Sequence, residues 1–187
     1  MLKKRHKTII CRDLECNEEI EVEKEKFKSK ENFERSCYHE AGHFVCAEYH
    51  NIGIEEVQIS LTNSFVALDV CEKDSEDDLH KLISVMYAGL LSEKIIFGTA
   101  SSGFMGAEDS DMGSANEMLH DLVILSDDEL SLTGLEEELI KEKMIELSKK
   151  IASETKEILL KNKDRLIEKA NEFMESNKDL LEENTEA

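Results

Sequence analysis

The stretch CYHEAGHFV, Cys37 to Val45, decides how this chain is read. The sequence holds 43 acidic residues and only 6 histidines, yet it sets two of those histidines four apart, with a glutamate directly after the first. On an α-helix such a pair stands one above the other, offset by about 40° and ~6 Å of rise. Two imidazoles placed this way can converge on one metal ion, at about 2.0–2.1 Å per zinc–nitrogen bond. Glu40 projects from between His39 and His43. A carboxylate there reaches a water held by the metal without being a ligand itself, which is the mechanics of hydrolytic zinc chemistry. The plainer reading is two surface histidines on a solvated face.

Working outward, residues 29–50 are expected to form one helix. Ser29 can cap its start, and Asn51 to Gly53 can end it. Phe33, Cys37, Ala41, Phe44, Val45 and Glu48 fall on one side at helical spacing, and His39, His43 and His50 on another. Small residues flank the motif (Ser36, Ala41, Gly42, Ala47), an arrangement read as leaving room for a substrate. Two short strands follow, "VQISL" over 57–61 and "FVALDV" over 65–70. A second helix spans about 75–97, with Ser75-x-x-Asp78 at its start and Gly98 at its end. Its apolar stripe is Leu79, Leu82, Ile83, Met86, Leu90 and Leu91. The loop "GTASSGFMGAED" leads to a third helix beginning near Asp111. Thr133-x-x-Glu136 then opens a long helical region running to about residue 181, broken near Asn162. The fold class expected is mainly α, with a short two-stranded β element after the zinc-binding helix. Residues 1–28 read as an N-terminal appendage able to form a hairpin. Cys11 and Cys16 within it are read as ordinary thiols rather than half of a zinc ribbon, because no second cysteine pair follows.

Composition narrows the function classes. At 187 residues and 40% hydrophobic, one domain with its own core is expected. A formal net charge of −20 repels phosphate backbones and anionic headgroups, which argues against nucleic-acid or membrane partners. The 5 cysteines are odd in number and irregularly spaced, no secretory signal opens the chain, and no apolar run approaches a membrane span. A cytoplasmic protein with free thiols is the expectation.

A catalytic zinc takes three protein ligands plus water, so a third ligand is required. His50 shares the histidine face but lies ~10 Å beyond His43 on a straight helix. His80 and His120 sit on other predicted helices, and Glu48 points away. The acidic cluster Glu108-Asp109-Ser110-Asp111 follows the loop at a helix start. A carboxylate from it can ligate zinc, or Asp109 or Ser110 merely caps that helix. Spacing leaves this open.

"CYHEAGHFVCAEY" resembles the H-E-A-G-H helix of the FtsH family's peptidase domain. "LISVMYAGLLSEKIIFG", Leu82 to Gly98, resembles the segment after that family's short sheet, including its Glu93 and terminal Phe97-Gly98. "GAEDSDMGSANEMLHDLV" resembles its G-A-x-x-D-L-x-x-A-T segment, and the C-terminal "LEEELIKEKMIELSKKIASETKEILLKNKDRLIEKANEF" its last helices. The likeness runs in order over roughly residues 33–180. It implies a zinc metallopeptidase domain over 29–187, with His39, His43 and Asp111 as zinc ligands and Glu40 as general base. One residue more than the family pattern separates Gly106-Ala107 from Asp111, so Asp109 remains an alternative ligand. Leu90 stands where the family usually has Arg. Neither the family's ATPase module nor its membrane helices is present, and no G-x-x-x-x-G-K-[ST] phosphate loop occurs. The resemblance implies an unfolded or flexible polypeptide substrate and a ring of copies. Two rival functions remain: a zinc-binding interaction or regulatory module without proteolysis, and a hydrolase acting on something other than peptides.

Overall fold

The structure is a computed structural model and describes residues 29–61, 64–69, 75–101, 110–127 and 137–181. The hairpin read over 1–28, with Cys11 and Cys16, lies outside the described residues. So do Asp109 and the cap at Thr133.

The described chain is mainly helical with one two-stranded antiparallel sheet. Its elements run α1 (Lys30–His50), β1 (Gly53–Gln58), β2 (Phe65–Asp69), α2 (Glu76–Phe97), α3 (Asp111–Leu125), α4 (Glu137–Lys161) and α5 (Lys163–Ser176), then a 3₁₀ turn, Lys178–Leu180. None of the described helices is long and apolar enough to cross a membrane.

Side-chain caps begin three of the helices. Ser29 accepts from the Asn32 N–H, Ser75 from the Asp78 N–H and Ser110 from the Gly113 N–H. Each satisfies one of the donors that a helix start leaves free. α1 and α2 stop at residues in the left-handed region, Asn51 with φ 58° and Gly98 with φ 75°. Asn and Gly enter that region at little cost. The break between α4 and α5 falls at Asn162, whose side chain donates to the Ile158 carbonyl at 2.8 Å. That local bond competes with continuation of the helix.

The first strand starts and ends earlier than expected, at 53–58 rather than 57–61. A β-bulge between Ile54 and Glu56 breaks the alternation, so the adjacent Glu55 and Glu56 are both exposed and the two-residue period disappears. Beyond the strand, Ile59 is buried in a small cluster with Phe33, Cys37 and Leu180. Ser64 Oγ accepts from the Ser60 N–H and donates to the Ser60 carbonyl, which ends the ladder there.

α1 is buried along far more of its circumference than one apolar face. It packs most extensively on α2, and α5 lies against another side. Gly42 makes the α1–α2 approach possible: a Cβ there would sit 2.4 Å from the Ala88 carbonyl oxygen and 2.8 Å from Ser92. Ala41 and Ala47 are wholly buried too. These small residues therefore serve helix packing and do not leave room for a substrate. On the opposite side, Phe44 meets Phe173 edge-on at 6.0 Å, and Lys169 sits over the Phe44 ring. Glu48 falls in line with the apolar residues of α1 because α5 brings Arg165 to it, with nitrogens 2.7 and 3.0 Å from its carboxylate.

Candidate metal centre

Three elements converge on the CYHEAGHFV stretch. α1 carries His39, Glu40 and His43. α2 crosses over the imidazoles with Val85, Gly89 and Glu93. α3 starts beside them, and its first residue is Asp111. The ligand atoms of His39, His43 and Asp111 all lie within 4.8 Å of one another, a group that can hold a metal ion. Ser110, not Asp111, caps α3. The Asp111 carboxylate is thereby left for the histidines, at a helix N-terminus that favours an anion.

The ring orientations are fixed from behind. His39 Nδ1 lies 2.8 Å from Glu93 Oε1, and His43 Nδ1 lies 2.7 Å from the Val85 carbonyl oxygen. Both partners accept, so both Nδ1 atoms donate. Each Nε2, the outward nitrogen, is the lone-pair atom of the neutral ring. Yet Asp111 Oδ2 sits 3.0 Å from His39 Nε2 and 3.3 Å from His43 Nε2. Two lone pairs facing a carboxylate call for positive charge between them, supplied by protons or by a metal ion.

Three further features fit a metal. Asp111 Oδ1 is buried without a hydrogen-bond partner. Such an orphan acceptor is costly unless something binds it. Glu40, Glu93 and Asp111 are all buried, at 4%, 1% and 4% exposure. Arg35, 3.5 Å from Glu93 Oε2, is the arginine that meets this acidic group. Finally, a Cβ on Gly89 would lie 2.5 Å from both Nε2 atoms, so only a glycine lets α2 pass this close to the two rings.

The proton affinities of the metal-free chain report the same crowding. Burial acts to lower the His39 pKa, but its hydrogen bonds to Asp111 and Glu93 outweigh this and raise it well above the ordinary histidine value. His43 is also raised, the Asp111 charge overcoming burial. Burial would raise the Asp111 pKa, yet the two imidazoles hold it far below the usual carboxylate range. Burial pushes the Glu40 carboxyl up to about 7, with His39 and His43 pulling against it and Asp111 and Glu93 adding to it. None of these forces on Glu40 is a hydrogen bond.

The other histidines weighed as third ligands are engaged elsewhere. His50 Nε2 is 3.1 Å from Ser84 Oγ, His80 pairs with Glu154 at 3.1 Å, and His120 is half-exposed beside Asp121. Sequence reasoning assigned no role to Glu93, Gly89 or Val85. Glu93 carried one available signal. It lies seven residues after Met86, in line with the apolar stripe of α2, where an acid is seldom buried unless it is paired. Here Ser101 donates to it twice, from N–H at 2.7 Å and from Oγ at 2.9 Å. The Val85 carbonyl carries no sequence signal at all.

The chain matches no known protein-family model, and no curated protein is significantly similar to it. The resemblance to the FtsH peptidase domain therefore rests on the quoted segments alone.

Proposed function

We propose that this chain is a zinc-dependent metallopeptidase of the FtsH-peptidase kind, cleaving peptide bonds in unfolded or flexible polypeptides. The observation that carries the reading is the convergence of His39, His43 and Asp111 within 4.8 Å, with the buried carboxylate of Glu40 on the same helix. Two imidazoles and one carboxylate suit zinc in a site that keeps one position for water. When bound, zinc supplies Lewis-acid polarisation of the scissile carbonyl and makes water a stronger acid.

The chain's own residues do the rest. Glu93 and the Val85 carbonyl hold the two Nδ1–H groups, so both Nε2 lone pairs face inward. Glu40 takes the proton of the attacking water and returns it to the leaving amine nitrogen. Nothing in these steps uses a nucleotide, so cleavage proceeds without ATP. Folded substrates resist except at loops, termini or locally opened segments.

The test is Glu40→Gln. It retains zinc but loses casein or peptide cleavage by about 10²-fold or more, a typical general-base contribution. Unchanged cleavage in that variant rules the mechanism out. A second reading, a zinc-binding module without proteolysis, is favoured by one observation: His43, Asp111 and Glu40 are no more than 4% exposed. A wild-type chain that holds zinc but cleaves neither unfolded protein nor short peptides belongs to that second reading.

A further inference from the structure

We propose that Gly89 determines the shape of the metal centre: its missing side chain leaves the two imidazoles the room they need to present both Nε2 atoms to one ion. The inference rests on the metal reading of the site and is independent of whether the chain cleaves peptides.

The geometry is specific. A Cβ on Gly89 would stand 2.5 Å from His39 Nε2, 2.5 Å from His43 Nε2 and 2.7 Å from His39 Cδ2. A zinc ion sits about 2.0–2.1 Å from each nitrogen that binds it. A carbon that close to both Nε2 atoms and to His39 Cδ2 overlaps the rings themselves and crowds the approach to their lone pairs. The imidazoles are not free to swing aside. Their Nδ1 atoms are tied at 2.8 and 2.7 Å, and the rings brace each other edge-on with centroids 4.8 Å apart. A methyl group at position 89 therefore either crowds the approach to both nitrogens or pushes the rings aside and breaks the hydrogen bonds that aim the ligands. Both outcomes cost metal affinity while every ligand stays in the chain.

Gly42 provides the contrast within the same helix crossing. A Cβ there meets the Ala88 carbonyl oxygen at 2.4 Å and Ser92 at 2.8 Å, so what must move is the backbone of α2. Gly42 is three residues from His39 and one from His43, and Gly89 is one from Ala88 and three from Ser92, yet Gly42 meets the other helix's backbone and Gly89 meets the ligand rings.

The experiment compares Gly89→Ala with wild type, using Zn²⁺ in chelator competition and Co²⁺ as a spectroscopic probe. The expected result is zinc affinity weakened by more than roughly 100-fold, beyond the range seen when a ligand loses an outer partner. The Co²⁺ absorption band of the wild-type site is lost, while helical circular dichroism is kept. Gly42→Ala lowers the melting temperature of the metal-free protein whether or not the two histidines are present. Wild-type zinc affinity in Gly89→Ala overturns the proposal. Should Gly89→Ala fold too poorly to titrate, melting in excess chelator decides. The substitution is expected to lower the melting temperature when both histidines are present and not in the His39→Ala/His43→Ala background, a coupling that a double-mutant cycle measures. An equal drop in both backgrounds overturns the proposal. Absence of zinc binding by the wild type overturns the metal reading beneath it.

Discussion

The C-terminal half of α1 passes two polar regions of α2, and they are built in opposite ways. Around His50, Ser84 Oγ meets His50 Nε2 at 3.1 Å, Cys46 Sγ at 3.3 Å and Thr155 Oγ1 at 2.8 Å, and Thr155 donates onward to the Ile151 carbonyl at 2.7 Å. Donors and acceptors form one continuous chain. Burial also lowers the His50 pKa, with the His80 and Lys81 charges adding to it, which favours the neutral ring. Around His39 and His43, the donors are spent behind the rings. Both Nε2 atoms then crowd one oxygen, Asp111 Oδ2, while Asp111 Oδ1 is buried without a hydrogen-bond partner. A satisfied network of this kind orders a core, whereas an unsatisfied one marks a place for something else. The histidines share one face of one helix, so the difference lies in what α2, α3 and α4 bring to them.

The comparison breaks most sharply through the ligands. Asp111→Asn is expected to weaken zinc binding, read by chelator competition, by well over the ~10–100-fold cost of losing an outer partner. His50→Ala is expected to leave zinc binding unchanged. Equal effects from the two would erase the distinction between the regions. Next in size is Glu93→Gln, which keeps an acceptor for His39 Nδ1 but removes its charge. A ~10–100-fold loss of zinc affinity is expected. Unaltered affinity would mean that Glu93 serves only the fold.

Smaller still is Thr155→Val, which takes the acceptor from Ser84 with little change in volume. The buried hydroxyl left behind should cost about 1–3 kcal/mol in denaturant unfolding, with zinc affinity unaffected. A drop in zinc affinity would show that the His50 network also shapes the metal centre. The smallest expected effect is a null one. Burial pushes the Cys37 and Cys46 thiols up to about 12, so neither should alkylate in the native protein at neutral pH. Rapid labelling of Cys46 without unfolding would show that the His50 region opens more readily than its packing implies.

Much of this was written in local pattern. Helical periodicity, Ser29, Ser75, Asn51, Gly98 and the break at Asn162 are short-range signals, and the elements stand where those signals put them. The pairing of His39 with His43 follows from helical geometry alone. Two readings went wrong for non-local reasons. The start of β1 was hidden because a bulge in its pairing with β2 undoes the alternation of Ile54, Glu55, Glu56 and Val57. The small residues beside the motif were assigned to a substrate, whereas Gly42 meets the Ala88 backbone of another helix.

The sequence by itself determined the class of the fold and the two histidines with the glutamate between them, because those depend on residues within a turn of each other. Spacing could not say which acidic residue meets the histidines; the resemblance pointed to Asp111, and tertiary packing is what brings it to them. Asp111 is 72 positions from His39, and no helical period spans such a distance. Tertiary packing likewise brought Glu93 and the Val85 carbonyl behind the rings and set Gly89 against them. Each of those roles depends on where two helices cross, and a crossing is fixed by the fit of whole faces rather than by any single short stretch.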